Sequence, residues 1–442
     1  MKIDRRDFLK QSGVMGLGVS LGALSVPRTA KAAPNDMVTV ATIGIRSRGR
    51  QLTQQFSALA NCQVKYVVDV DERYLDNAAN AAQERQGRRP EKLIDFRKAL
   101  DDNDVDAVVI ATPEHWHAPM AILALKAGKH VYLEKPAMHN PAEGELLVAA
   151  QKKYGKLVQM GNQRRSTTVT HQMMRELRDG LIGKVYFAKT WYANNRSPIG
   201  FGEVIAVPDY LDWELWQGPA PRTAYRSNIH PYNWHWFYKW GTGEALNNGT
   251  HEVDVARWAL DVDFPKKVAS LGGRWHYVDQ DDWEFPDTQT VTIEYDDGKA
   301  ILWEGRSCNN YRIEGMGRGV RIYGTEGSII YRTSSYEVFD QGNNHIKTVG
   351  RDDVDVDETD VTDPGVADYH APNFVNSVVG KSELNSPISE GYKSILPLLL
   401  SNISQRTGTT IHCDPSNGRI VHNPQAQRLW AREYESGWEP TL

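Results

Sequence analysis

The chain has 442 residues, more than one hydrophobic core usually serves, so two domains are expected. With 40% hydrophobic and 24% charged residues it has the composition of a soluble globular protein, and a formal net charge of -5 offers nucleic acid or anionic lipid no electrostatic footprint. Three dispersed cysteines, Cys62, Cys308 and Cys413, exclude a disulfide framework and a zinc spacing, and are expected as buried thiols.

Residues 1–33 read as an address rather than as part of a fold. Lys2 and Arg5-Arg6 precede Phe8-Leu9-Lys10, a modestly apolar run covers 14–26, and Ala30-Lys31-Ala32 offers small residues for cleavage. That run is too short for a permanent span, so no stable membrane anchor is expected. Paired arginines before Phe-Leu-Lys resemble a twin-arginine signal, which implies passage of the folded protein through the twin-arginine translocase to the periplasm, or export by that route elsewhere.

From residue 38 short apolar, β-branched runs alternate with amphipathic stretches. Strands are predicted at 38–43, 64–68, 107–111, 130–133 and 157–160, and helices at 49–60, 72–85, 115–127 and 141–154. This alternation predicts βαβ units and a parallel sheet. The first turn, Gly44-Ile45-Arg46-Ser47-Arg48-Gly49, sits where a dinucleotide fingerprint belongs, with a helix N-terminus turned toward a pyrophosphate. Gly44 and Gly49 take the first and third glycine positions. Arg46 stands at the second, a departure from the pattern, and Arg48 lies beside it. Asp69, closing the second strand, stands where an acid takes the adenosine ribose hydroxyls. The expectation is a Rossmann domain over 34–160 that binds NAD. NADP is the other possibility, since Arg46, Arg48 and Arg73 could reach a 2′-phosphate.

Thr112-Pro113-Glu114-His115-Trp116-His117 follows the third strong strand, and Glu134-Lys135-Pro136 follows the next. Ligands of open parallel sheets bind outside the carboxyl ends of strands, so these loops converge on one crevice. Thr112, Pro113, His115, His117 and Glu134 thereby join the candidate cofactor-binding residues. Thr-Pro-x-x-x-His followed by Glu-Lys-Pro after a strand resembles the Gfo/Idh/MocA oxidoreductases, and the likeness runs over essentially the whole chain beyond the leader. The resemblance implies that Lys135 is catalytic and lies beside both nicotinamide and substrate.

Beyond residue 160 the rhythm changes to longer strands and aromatic loops. Strands at 183–192, 267–277, 288–295, 299–304 and 321–323 predict a mainly antiparallel sheet in an α+β substrate domain over 161–370. Gln163 and Arg164, at the crossing point, either orient substrate or anchor the domain junction. Within 241–254, His251 opens a predicted helix and is a candidate general base. The resemblance implies a second signature here, an Asp and, four residues on, a His that serve the hydroxyl being oxidised. His251 matches the His, whereas Asn247 replaces the Asp: it can hydrogen-bond a sugar hydroxyl but cannot take its proton. Asp254 either touches the imidazole or substrate, or is a solvated helix residue.

The stretch 210–240 is crowded with Trp213, Trp216, Tyr225, His230, Tyr232, Trp234, His235, Trp236 and Tyr238. A carbohydrate-facing wall is expected, with Trp234 and His235 as substrate contacts; a loop packed on its own sheet is the alternative. No spacing supports a metal site. The resemblance further implies that helices in 371–442 return to the Rossmann domain, and a homo-oligomer through the C-terminal sheet is expected. The expected function is an exported NAD(P)-dependent oxidoreductase acting on a sugar, with the nicotinamide retained. A redox-assisted glycosidase or epimerase, and a non-catalytic sugar-binding protein with a relic cofactor site, are the alternatives.

Overall fold

The computed structural model describes residues 36–354 and 369–442; the leader at 1–33 lies outside the described residues. β1 (Val38–Ile43), β2 (Cys62–Val68), β3 (Glu91–Leu93), β4 (Ala107–Ile110), β5 (His130–Leu133) and β6 (Val158–Met160) form a parallel sheet in the order β3-β2-β1-β4-β5-β6. Alternate residues of β1 feed two cores: Val38 and Val40 on one face, Ala41 and Ile43 on the other. Both faces are covered, which is why these strands read as continuous apolar runs. α1 (Ser47–Ala58) and α2 (Leu75–Gln86) cover the first face, and α3 (Arg97–Leu100), α4 (His117–Lys126) and α5 (Pro141–Tyr154) the second. The boundaries of α5 are set locally: Asn140 accepts from the Glu143 amide, Pro141 occupies the first turn, and Gly155 ends the helix at φ 63°.

The second half opens with α6 (Thr168–Arg178) and β7 (Val185–Ala193), and continues through α7 (Trp213–Gln217), α8 (Gly243–Asn247) and α9 (Gly249–Leu260). β8 (Lys267–Gly273), β9 (Thr288–Glu294), β10 (Ala300–Arg306), β11 (Arg318–Gly324), β12 (Gly327–Tyr331), β13 (Ser335–Asp340) and β14 (His345–Gly350) follow. With β15 (Ile411–His412) they make one sheet in the order β14-β13-β12-β11-β7-β10-β9-β8-β15. Every neighbouring pair is antiparallel except β7 and β10, which run parallel.

α9 packs on this sheet and is buried on nearly every side, charged residues included. The C-terminal part serves both halves: α10 (His370–Val378) packs on α1, α11 (Ile388–Thr407) spans α5, α9 and β8, and β15 extends the large sheet. One continuous core therefore runs from α4 and α5 through α9 and α11 into the sheet, and holds the two halves in fixed register. All three cysteines are buried and free.

Candidate active site

The strand order reverses between β1 and β4, and a crevice opens there beyond the strand ends. It is a cavity of about 290 Å³, and Gly44, Arg46, Arg48, Asp69, Thr112, Pro113, His117, Glu134, Lys135, Trp234, His235 and Asn247 all line it. Thus most of the residues singled out in the sequence meet in one place.

At the β1–α1 turn Gly44 has a φ of 77°, and a Cβ on Gly49 would lie 1.7 Å from the Gly44 carbonyl oxygen. Both positions therefore need glycine. No side chain caps α1, so its first-turn amides, which have no intrahelical acceptor, are left open to a ligand, and Ser47 and Arg48 of that turn line the crevice. Arg46 at the second glycine position reaches out to the Tyr74 hydroxyl, 3.3 Å away. Asp69 is fixed by the amides of Ile45 and Asp71, each donating at 2.9 Å. Burial pushes its carboxyl up to about 6, against the pull of those amides. The Thr112 hydroxyl is buried in the same wall with no partner among the described residues. A glycine cradle, a helix N-terminus and a fixed acid at the end of β2 fit a dinucleotide; they would take its pyrophosphate and ribose respectively. Of the arginines that could favour a 2′-phosphate, Arg48 is paired with Glu134 at 2.7 Å and Arg73 with Asp71 at 2.6 Å. That leaves Arg46 alone against Asp69.

Lys135 links the two halves. Its Nζ donates to the backbone oxygen of Asn247 and lies 3.3 Å from the Asn247 Oδ1. Burial lowers the pKa of Lys135, while the carboxylates of Glu134, Glu114 and Glu244 act to keep it charged. Burial would raise Glu134, but Arg48 and Lys135 hold it below its ordinary range. Glu114, which accepts from the Thr242 hydroxyl, is pushed up to about 7 by burial. Glu114 is a member of the Lys135 environment that the sequence did not single out. His251 follows one turn beyond Asn247, its amide donating to the Asn248 oxygen at 3.2 Å. Burial, and then the charges of Lys135, Arg164 and Arg318, hold its pKa well below the ordinary value. Burial and these cations therefore hold His251 as a neutral imidazole and oppose its protonation, and His251 is not among the residues that line the cavity.

Several expected site residues are placed elsewhere. Arg164 is buried against Glu252 at 2.7 Å, and Arg318 donates to the same carboxylate at 2.8 Å. Asp254 is neither solvated nor in the crevice: Arg165 grips it with Nε at 2.9 and 2.8 Å, and Ser394 of α11 donates to it at 2.6 Å. Both pairs fasten the domain junction, the alternative left open for Arg164. Gln163 donates to Glu134 at 3.1 Å and so positions a lining residue without lining the cavity itself. His115 turns away from the cavity, its Nε2 2.9 Å from the Trp216 carbonyl, and burial lowers its pKa to about 3. His117 does line the cavity, but its ring nitrogens face the Pro136 and Thr112 carbonyls at 2.6 and 2.8 Å, tying the two signature loops together.

The aromatic stretch is also different from expectation. Trp213, Trp216, Tyr225, Trp234 and Trp240 form a buried cluster of their own with Leu211 and Ile229. Too many rings for one wall instead satisfy each other, and of the rings in this stretch Trp216, His230, Tyr232, Trp234 and His235 line the cavity, with Leu215 and Pro231. His235 stacks on Trp234 at 3.6 Å, and burial lowers its pKa to about 3.

Residues 38–162 match the model of an oxidoreductase family described as an NAD-binding Rossmann fold, and 201–411 match that family's C-terminal alpha/beta domain. The chain belongs to the Gfo/Idh/MocA family. Its curated relatives include a glycosyl hydrolase family 109 protein of Saccharopolyspora erythraea, 31% identical over 219 residues, which are 45% of this chain and 48% of the relative. A second, from Shewanella pealeana, is 32% identical over 155 residues, 31% of this chain and 34% of the relative. The matches thus span a third to a half of the length of these relatives. Among solved structures, a levoglucosan dehydrogenase in complex with NADH and levoglucosan aligns over 85% of this chain and 99% of its own, with a TM-score of 0.63 and 21% identity. That likeness establishes the shared Gfo/Idh/MocA fold.

Proposed function

We propose that this chain is an exported, NAD-dependent Gfo/Idh/MocA oxidoreductase that acts on a sugar hydroxyl or carbonyl and keeps its nicotinamide bound. The observation that carries this reading is the contact of Lys135 with Asn247, which brings both signatures into the crevice that the glycine turn and Asp69 also line. A bound nicotinamide supplies the acceptance and return of hydride. The chain supplies orientation and proton handling. Lys135, desolvated among Glu134, Glu114 and Glu244, donates a hydrogen bond to the oxygen of the reacting carbon. His251, neutral, takes the hydroxyl proton as that carbon is oxidised and returns it on reduction. Asn247 holds the lysine and offers its amide to a neighbouring hydroxyl. Trp234 and His235, stacked on each other, line the same cavity and offer the sugar a ring face.

A second reading is favoured by two observations. The curated relatives carry the name glycosyl hydrolase family 109, and the acid of the second signature is Asn247 here. In a redox-assisted glycosidase the oxidation would be transient: it acidifies a neighbouring C–H, loss of that proton expels the aglycone, water adds in its place, and return of the hydride leaves no net redox change. The same Lys135 and His251 serve both readings.

Export rests on Arg5-Arg6 and the apolar run that follows. A folded route suits a protein that must load a soluble cofactor before leaving the cytoplasm. Mass analysis of the nucleotide released from periplasmic protein should give NAD. Asp69 would hydrogen-bond the ribose diol and repel a 2′-phosphate, so a predominance of NADP contradicts the assignment. Arg5→Lys with Arg6→Lys keeps the charge but should leave precursor in the cytoplasm; undiminished export would mean the arginine pair is not read.

A further inference from the structure

The segment 208–240 belongs to the second half by sequence, yet it is joined to the first half along the rim beside Asp69. Glu72 donates its amide to the Tyr210 oxygen and Asp212 donates to the Val70 oxygen, both at 3.0 Å, making a short bridge of Leu211 with Asp71. The Arg73 guanidinium lies 3.6 Å above the Tyr210 ring. Further along, the Trp116 indole donates to the oxygens of Leu215 and Trp216 at 3.2 and 3.0 Å. A Cβ at Gly218 would fall inside the Trp116 ring, so the segment is seated as closely as backbone permits.

His230 is the residue of this segment that does two things at once. Its Nε2 is 2.8 Å from Asp71 Oδ2, and because a carboxylate accepts, Nε2 carries the proton. Asp71 is itself fully buried, and Arg73 grips both of its oxygens, Nε on Oδ1 at 2.9 Å and Nη2 on Oδ2 at 2.6 Å. Burial lowers the pKa of His230, so the ring is neutral and Nδ1 is left as an acceptor. That Nδ1 is buried, has no partner among the described residues, and belongs to a side chain lining the cavity that Asp69 lines. A buried acceptor without a donor is costly unless a ligand supplies one.

We propose that His230 is a cofactor-holding residue contributed by the second half: Asp71 fixes its tautomer, its Nδ1 accepts from a hydroxyl of the dinucleotide, and the segment it anchors closes the crevice over the bound cofactor. This rests on reading the crevice as a dinucleotide site. It accounts for retention of the cofactor by a named contact rather than by cavity shape alone, and it places the barrier to exchange in the release of 208–240 from the rim.

The test is exchange of bound nucleotide against isotopically labelled NAD, followed by mass analysis of the full-length, cofactor-loaded protein. Loss of a buried hydrogen bond of this kind should speed exchange in His230→Ala by about tenfold to a hundredfold. His230→Gln, which offers one donor to Asp71 and one acceptor to the cleft, should recover most of the slow exchange. Tyr210→Ala, at the solvent side of the same junction, should also speed it and does not depend on the folding of the His230 variants. Wild-type exchange rates in a folded His230→Ala, or in Tyr210→Ala if that variant is the one obtained, overturn the proposal while leaving the dinucleotide site intact. Failure of the wild-type protein to take up labelled NAD at all overturns both.

Discussion

Replacing either Lys135 or His251 with alanine should lower turnover by about 10²–10⁴-fold, the usual loss for one positioned proton-transfer group. Both variants should keep their nucleotide, because neither side chain belongs to the glycine turn or to Asp69. The Lys135 Nζ hydrogen-bonds, among the described residues, to the backbone and side-chain oxygens of Asn247, and its removal also takes a cation away from Glu134 and Glu114, so turnover is read on a variant shown to be folded. His251 has no side-chain hydrogen-bond partner among the described residues, and its imidazole is kept neutral by burial and by Lys135, Arg164 and Arg318. Asn247→Ala should cost less, about tenfold or below, because an ordinary hydrogen bond contributes about 0.5–1.5 kcal/mol. Wild-type turnover in both Lys135→Ala and His251→Ala would remove the mechanism, whatever the substrate.

Asp254→Ala should act on stability and not on substrate binding. The carboxylate is buried with Arg165 and receives Ser394 from α11, so its removal strands a guanidinium at the junction of the two halves. Breaking such a pair from one side costs about 3–5 kcal/mol. Denaturant unfolding should show a clearly lowered midpoint, with KM for the substrate close to wild type. Removing Arg165 as well should cost little more than Asp254→Ala alone, since the stranded charge leaves with it. An unchanged midpoint with a raised KM would return Asp254 to the substrate.

Where a residue's role is set locally, the sequence shows it. β1 and α5 are found at their expected bounds, the first because both its faces are buried, the second because Asn140, Pro141 and Gly155 mark its ends. Gly44, Asp69 and Lys135 converge because they follow β1, β2 and β5, whose carboxyl ends share one edge of the parallel sheet, while Asn247 is brought to them by α8 of the second half. β3 is short and mostly exposed, and β14 is a polar edge strand, so neither carries an apolar run long enough to recognise. β12 is buried throughout and only five residues long, so it shows no alternation, and β13 follows it after a tight turn. Roles that depend on a distant partner were not legible. Asp254 and Arg165 are 89 positions apart, and nothing in either neighbourhood announces the other. His230 and Asp71 are 159 apart and meet only because an irregular aromatic segment docks on the rim. The same segment shows why counting rings misleads: most of its tryptophans pack against one another.

The most direct measurement of the central claim is the absorption of reduced nicotinamide within the cofactor-loaded protein. It is recorded by rapid mixing with a panel of sugars and glycosides, and no free NAD is added. At least one compound should produce the reduced form at the rate of turnover or faster, persisting if the reaction is a net oxidation and transient if it is redox-assisted cleavage. Folded, NAD-loaded protein that turns over a sugar or glycoside without any reduced nicotinamide forming would contradict the account.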